Sequence, residues 1–350
     1  MKPGQTVEFN VGATSQYYMD LSRTRLCANV RILGEDGNTL PANSDVAFIN
    51  LSLHSIFRQV DLFLNGKNLC GDISVNYPMK SIMDTLLEET DDYLKSAGRT
   101  EMFYKDERGF MDSVVVDGQG TNFGLVHRYR RTKGSRVVQL SGVLHADLMG
   151  IRSYIPNGIS LGLKLYPSAS EFCLMSPNTS TRYLVDITDC RLLVQYVEPT
   201  KQLLVEHNEM LTKGPALLPF WRSNVRCFTI PANMTTWGVD GIFSDQIPDT
   251  LTVGLVSTAS YTGKLDKNPF NFQNFALSFL GFYVEGAPVN STVLQPDFEN
   301  DLYTEEYLSL FDEKNTPGRG LLMGAKVPPI RKTTICKELP AIARVAGAYN

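Results

Sequence analysis

Five Arg or Lys residues fall within nine positions of one segment: Arg128, Arg130, Arg131, Lys133 and Arg136. His127 precedes them and Tyr129 interleaves them. Guanidinium and ammonium groups at this density suit an anion: a nucleic-acid phosphate, a lipid headgroup or an acidic partner face. An exposed loop between strands accounts for the same charges without any ligand. In an extended chain Arg128 and Arg130 would point one way and Tyr129 and Arg131 the other, so both faces would be basic.

Other chemistry finds little support. The four histidines, His54, His127, His145 and His207, include no H-x-H pair, so a cupin-type metal site is not expected. The six cysteines form no C-x-x-C and read as reduced thiols of an intracellular compartment. There is no G-x-S-x-G elbow and no G-x-x-x-x-G-K-[ST] phosphate loop. Gly118 to Gly124 is glycine-rich but lacks a strand-then-helix context, and reads as a mobile loop. With 37 acidic residues some carboxylate pair is bound to arise by chance, so a carboxylate-dependent hydrolase would rest on fold analogy alone. No catalytic residue, cofactor or metal is expected.

The elements that must position any such residues are mostly strands. Leu26, Ala28, Val30 and Ile32 alternate with polar neighbours, as do Leu161, Leu163 and Leu165, then Tyr183, Val185 and Ile187, then Leu251, Val253 and Leu255. A period of two marks half-buried antiparallel strands. About eight strands are expected before residue 200: 6–11, 16–21, 25–33, 45–52, 56–64, 136–147, 159–166 and 183–197. Four follow residue 215: 224–230, 236–243, 250–257 and 276–284. Asn65-Gly66 is the strongest hairpin turn. Helices are few. The best starts with Asn76 as cap and Pro78 in the first turn, with Met79, Ile82, Met83, Leu86 and Leu87 on one stripe. Its acidic face, Asp84 through Asp92, reads as solvated. Residues 201–211 and 304–311 are weaker helices.

The chain has 350 residues and a mass of 39.0 kDa, which suits two domains. Hydrophobic residues are 43% and net charge is −4, which disfavours a globally basic nucleic-acid wrapper. No signal peptide is read at the N-terminus, and the longest apolar stretch, 275–284, is too short to span a bilayer. Many strands, long connections and few helices predict a mainly β chain of antiparallel jelly-roll sandwiches. The expected divisions are a first jelly roll over 1–200, a connecting helix and linker over 201–214, a second jelly roll over 215–312 and a flexible basic tail over 313–350. The tail holds seven basic residues against two acidic, with several Gly and Pro.

Several segments resemble the double jelly-roll major capsid proteins of Polinton/Maverick elements and their adintovirus relatives. One is Leu51-Ser-Leu-His-Ser-Ile-Phe-Arg-Gln-Val-Asp-Leu-Phe-Leu-Asn65, and another Asn76-Tyr-Pro-Met-Lys80. A third is Leu140-Ser-Gly-Val-Leu-His-Ala-Asp-Leu148. The last block joins Asn268-Pro-Phe-Asn-Phe272, Leu280-Gly-Phe-Tyr-Val-Glu-Gly286 and Leu294-Gln-Pro-Asp-Phe298. The resemblance runs from about residue 6 to 311. It implies two jelly rolls per chain, a hexon-like homotrimeric capsomer, and self-assembly of capsomers into an icosahedral shell. The implied setting is a virion capsid, assembled inside a host cell and not secreted. The implied partners are neighbouring capsomers, a minor capsid or penton protein, and encapsidated DNA. The resemblance implies no catalytic residue. Relatives of this kind continue with further strands where this chain has its tail, so a shortened second barrel with an open sheet edge and poor solubility as a monomer is expected. The competing reading is a jelly-roll carbohydrate- or ligand-binding module. It needs exposed aromatics, and Trp221 and Trp237 are expected in the second domain's core or loops.

Overall fold

A computed structural model describes residues 4–70, 76–117, 119–242, 250–284, 286–288, 293–309 and 339–349. The first half runs β1 (Val7–Val11), β2 (Tyr18–Gly34), β3 (Ala47–Phe48), α1 (Ser52–Ser55), β4 (Phe57–Leu64), β5 (Lys67–Asn68), α2 (Tyr77–Glu88), α3 (Asp91–Lys95) and α4 (Phe123–Thr132). It continues through β6 (Val138–Gly142), β7 (Leu161–Pro167), α5 (Ser170–Cys173), β8 (Leu174–Met175) and β9 (Tyr183–Val197). The second half holds α6 (Lys201–Lys213), β10 (Phe220–Ile230), β11 (Thr250–Leu255), α7 (Thr258–Tyr261), β12 (Tyr283–Val284), β13 (Ala287–Pro288), α8 (Thr304–Ser309) and β14 (Leu339–Tyr349).

The chain is mainly antiparallel β with few short helices. One sheet has the order β1-β7-β4-β5 and another β6-β2-β9. Their alternate residues close on a single core. Val7 from β1, Leu62 from β4 and Leu161, Leu163 and Leu165 from β7 meet Leu26, Ala28, Val30 and Ile32 from β2 and Leu140 from β6. Each Val, Leu or Ile side chain among them contributes about 1.5–3 kcal/mol on burial. The two expected strands over 16–33 are one long strand, β2, with register shifts between Asp20 and Arg25 and between Asn29 and Val30. Asn65 (φ 47°) and Gly66 (φ 78°) both turn left-handed in the β4–β5 hairpin, as the Asn-Gly pair predicts.

A second core lies beside the first. Met79, Ile82 and Met83 of α2, Leu125 and Tyr129 of α4, Val225 of β10, and Val256 and Phe270 form it. It joins the sandwich to a three-stranded sheet of order β10-β14-β11. That sheet carries a correction. Leu339–Tyr349, expected in a flexible tail, is its central strand, paired along β10 from Phe220↔Tyr349 to Ile230↔Leu339 and along β11 from Thr250↔Ala346 to Leu255↔Ala341. An alanine- and glycine-rich stretch gives little apolar alternation for sequence reading to find. Residues 313–338 of the expected tail lie outside the described residues. The strand expected over 276–284 shortens to β12, and 236–242 forms none, 243 lying outside the described residues.

The basic segment 127–136 is neither extended nor a loop. It lies mostly on α4, capped by Asn122, whose Oδ1 accepts from Gly124 N at 3.1 Å and Leu125 N at 3.4 Å. Leu125, Arg128, Tyr129 and Thr132 form its buried stripe, and the arginine among them disguises the helical period. Gly124 opens the helix because a Cβ there would stand 2.6 Å from Lys105 O and 2.7 Å from Tyr104 O. The glycine-rich run therefore ends in packed structure at Gly124, while Gly118 lies outside the described residues.

Candidate functional site

Three sequence-distant side chains meet between the two cores: His54 on α1, Glu101 at the end of a 3₁₀ turn over Ala97–Glu101, and His145 after β6. One ligand atom from each lies within 4.8 Å of the others. His54 is 0% exposed and Glu101 2%.

Each is placed by local chemistry. The α1 turn begins at Leu51, a left-handed residue at φ 52° that costs about 1–2 kcal/mol in a non-glycine. Asn50 Oδ1 supports it, accepting from Leu51 N and Tyr104 N at 2.9 Å each. The Ser55 hydroxyl donates to Asn50 O at 2.7 Å. Glu101 reaches inward because residue 142 is glycine. A Cβ there would sit 2.6 Å from Glu101 Cγ and Cδ and closer still to Oε1. The Thr100 hydroxyl donates to Ser141 O at 2.6 Å and ties the turn to β6.

Tyr77, the first residue of α2, links the histidines. Its hydroxyl lies 2.7 Å from His54 Nδ1 and accepts from His145 N at 3.2 Å. The two imidazoles meet edge to face, centroids 4.7 Å apart. The Tyr93 hydroxyl donates to Glu101 Oε1 at 2.9 Å. Glu101 Oε2 faces His54 Nε2 at 3.5 Å, and neither atom makes any other hydrogen bond to a described residue. Burial pushes His54 below its ordinary value of 6.5 and outweighs the neighbouring carboxylates. Burial works against ionising Glu101, yet His54, His145 and Tyr93 together hold it below its ordinary 4.5. Burial keeps the Tyr77 phenol neutral, well above its usual range.

Beside this centre, Lys80 Nζ donates to Asp84 Oδ2 at 2.8 Å and to His145 O at 2.9 Å, and lies 3.2 Å from Asp147 Oδ1. Asp84 Oδ2 is 3.4 Å from His145 Nδ1. Asp84 is therefore buried rather than part of a solvated acidic face. Asn76 precedes α2 but makes no side-chain cap bond. It instead spans the joint: Nδ2 donates to Val225 O at 3.4 Å and Oδ1 accepts from the Tyr261 hydroxyl at 2.8 Å.

The basic candidates separate. Arg128 is fully buried: Nε donates to Phe48 O at 2.9 Å, Nη1 to Tyr104 O at 2.9 Å, and Nη2 to Asp106 Oδ1 at 2.7 Å. It is thus removed from any surface anion contact. Arg130, Arg131, Lys133 and Arg136 are exposed, with Arg131 Nη1 donating to the Tyr104 hydroxyl at 2.8 Å and Lys133 Nζ 5.5 Å from the Tyr129 ring centre. Asn268 completes the Asp106 network, Nδ2 donating to Asp106 Oδ2 at 3.1 Å and Met111 O at 3.2 Å. Trp221 is 53% exposed on β10, not in a core, whereas Trp237 is half-buried against Phe228. The groove along β1, β7 and β4, near 540 Å³, is lined by Phe63, Ser160 and Lys164 among others, with no His, Cys or carboxylate.

Sequence reading did not bring His54, Glu101 and His145 together. The spacings, 47 and 44 residues, follow no metal motif. The one signal was that His54, Tyr77, Gly142 and His145 all stand within the resemblance blocks.

No family model matches the chain. It is similar to "Uncharacterized protein F54H12.2" of Caenorhabditis elegans, 28% identical over 321 residues, covering 87% of this chain and 71% of that one. Among solved structures it is similar to the PBCV-1 virus capsid, with a TM-score of 0.48 and 8% identity over 99% of this chain and 90% of that one. The Sputnik virophage structure scores 0.46 at 11% identity, over 99% and 83%. The mavirus major capsid protein scores 0.42 at 12% identity, over 98% and 80%. Likeness at this level assigns neither strand order nor activity. No described helix is long and apolar enough to cross a membrane.

Proposed function

We propose that the chain is a structural, self-assembling protein: a double jelly-roll major capsid protein whose homotrimers form capsomers of an icosahedral shell. One observation carries the reading. Segments that resemble such capsid proteins, far apart in sequence, meet inside the folded chain. His54, Tyr77 and His145 come from three of these blocks and contact one another. Asn76 and Asn268, from the second and last blocks, hydrogen-bond between the chain's two β halves, Asn76 to Val225 O and Asn268 to Asp106. Residues that carry a likeness by fastening two β units together belong to architecture, not to turnover of a substrate.

Assembly needs apolar surface outside the cores. Helix α6 offers it: Val205 and Leu211 are exposed, and Met210 is 65% exposed. Arg130, Arg131, Lys133 and Arg136 would meet a neighbouring capsomer, a minor capsid or penton protein, or encapsidated DNA. Mass photometry of the purified chain tests the proposal, with negative-stain imaging of the largest species. A species of three times 39.0 kDa, or closed shells, is the expected result. A monodisperse monomer at all concentrations would overturn it.

A further inference from the structure

We propose that His54, Glu101 and His145 bind a divalent transition-metal ion, with zinc the best chemical fit, as a buried staple. Two imidazoles and one carboxylate are a donor set that Zn²⁺ takes, with water completing four-coordination. Four geometric facts support this.

First, His54 Nε2 and Glu101 Oε2 face each other at 3.5 Å. Ligand bonds near 2.0–2.2 Å put tetrahedral donors about 3.3 Å apart, so this pair already spans one edge. The His145 ring, 15% exposed and so less enclosed than the other two side chains, would shift by up to about 1.5 Å to close the remaining edges from the 4.8 Å limit.

Second, these two facing atoms have only each other, at a long 3.5 Å, and make no other hydrogen bond to a described residue, while both residues are almost wholly buried. Buried polar atoms are nearly always satisfied, so two opposed atoms this poorly paired point to a cation between them.

Third, the other atom of His54 and of Glu101 is already held. Tyr77 engages His54 Nδ1 at 2.7 Å and Tyr93 engages Glu101 Oε1 at 2.9 Å. Such outer partners orient metal ligands and hold the tautomer. Fourth, Gly142 leaves the carboxylate room that any side chain would take.

The ion would join α1, the 97–101 turn and the chain after β6. Metal binding would then be part of the folding free energy. The inference does not depend on the capsid reading.

Because the site is enclosed, loading is tested by refolding the full chain in metal-free buffer with Co²⁺ or Zn²⁺ added. The expected result is one equivalent of metal after desalting, with Co²⁺ giving intense visible bands of low-coordinate geometry. Glu101→Gln keeps side-chain volume and the bond from Tyr93. It should fold, by circular dichroism, yet weaken binding by more than the roughly 10–100-fold that loss of an outer-shell partner costs. Wild-type chain that refolds without retaining metal would overturn the proposal. So would a folded Glu101→Gln variant with the unchanged Co²⁺ spectrum, because the ion would then sit elsewhere. Should Glu101→Gln not fold, His145→Gln takes its place with the same two outcomes, and metal content of the wild type decides alone if neither folds.

Discussion

Arg128 brings a full charge into a site without solvent and is matched there by three acceptors. Removing one partner from such a pair costs about 3–5 kcal/mol, because the other charge stays buried. Arg128→Met should therefore lose about that much stability in urea unfolding, while Arg130→Met, on the exposed side of the same helix, should change it by less than about 0.5 kcal/mol. Equal effects would show that Arg128 is not enclosed as described. Gly142 acts through space rather than through backbone freedom. Gly142→Ala must displace Glu101, so it should cost about 1–3 kcal/mol, as overpacking does. Glu101→Ala should remove most of that penalty in a double mutant, and additivity within 0.5 kcal/mol would count against the cradle. Cys173 gives a third residue-level test. Burial pushes its thiol up to about 12, so almost no thiolate exists at neutral pH. A disulfide reagent at pH 8 should leave Cys173 unlabelled in the native chain and label it fully after denaturation.

The helices decide how the two β halves meet. Asn268 is fully buried and spends both ends of its amide on the joint. Nδ2 bonds Asp106 and Met111, and Oδ1 accepts from Phe270 N at 3.0 Å. Asn268→Ala would leave one Asp106 oxygen and one backbone N–H short of a partner, each worth about 1–3 kcal/mol. Hydrogen exchange should quicken around 104–112 and 268–272 before it quickens in β2 or β7. Uniform quickening would mean that the two halves unfold as one unit. At this scale the sequence was uneven as a guide. β7 and β9 were legible because one face is apolar, and α2 because Met79, Ile82 and Met83 keep a helical spacing. Helix α4 was not, since its buried stripe contains Arg128 and its charges dominate any reading of the segment. Asn76 was read as a cap, and its side chain instead reaches Val225 and Tyr261, partners 149 and 185 residues away. The His54–Glu101–His145 centre shares that fate, because its contacts are set by tertiary packing and leave no local pattern.

Across the whole molecule, the open question at the sequence level was which strands complete the second half. β14 answers it for the described residues. It runs between β10 and β11, so one strand satisfies the backbone groups of two others. A sheet whose middle strand comes from the far end of the chain has high contact order and closes late in folding. Removing that strand would expose two unpaired edges at once, the arrangement that templates edge-to-edge association. A chain ending at residue 338 should therefore keep the first sandwich, whose sheets β1-β7-β4-β5 and β6-β2-β9 do not include β14. Its far-ultraviolet β signal and β2 protection should survive, while the protein passes into irregular aggregate in place of a discrete oligomer. The full chain under the same conditions should give a discrete species. If the shortened chain stays monodisperse and keeps its Trp221 fluorescence unchanged, β14 is not the strand that holds β10 and β11 together.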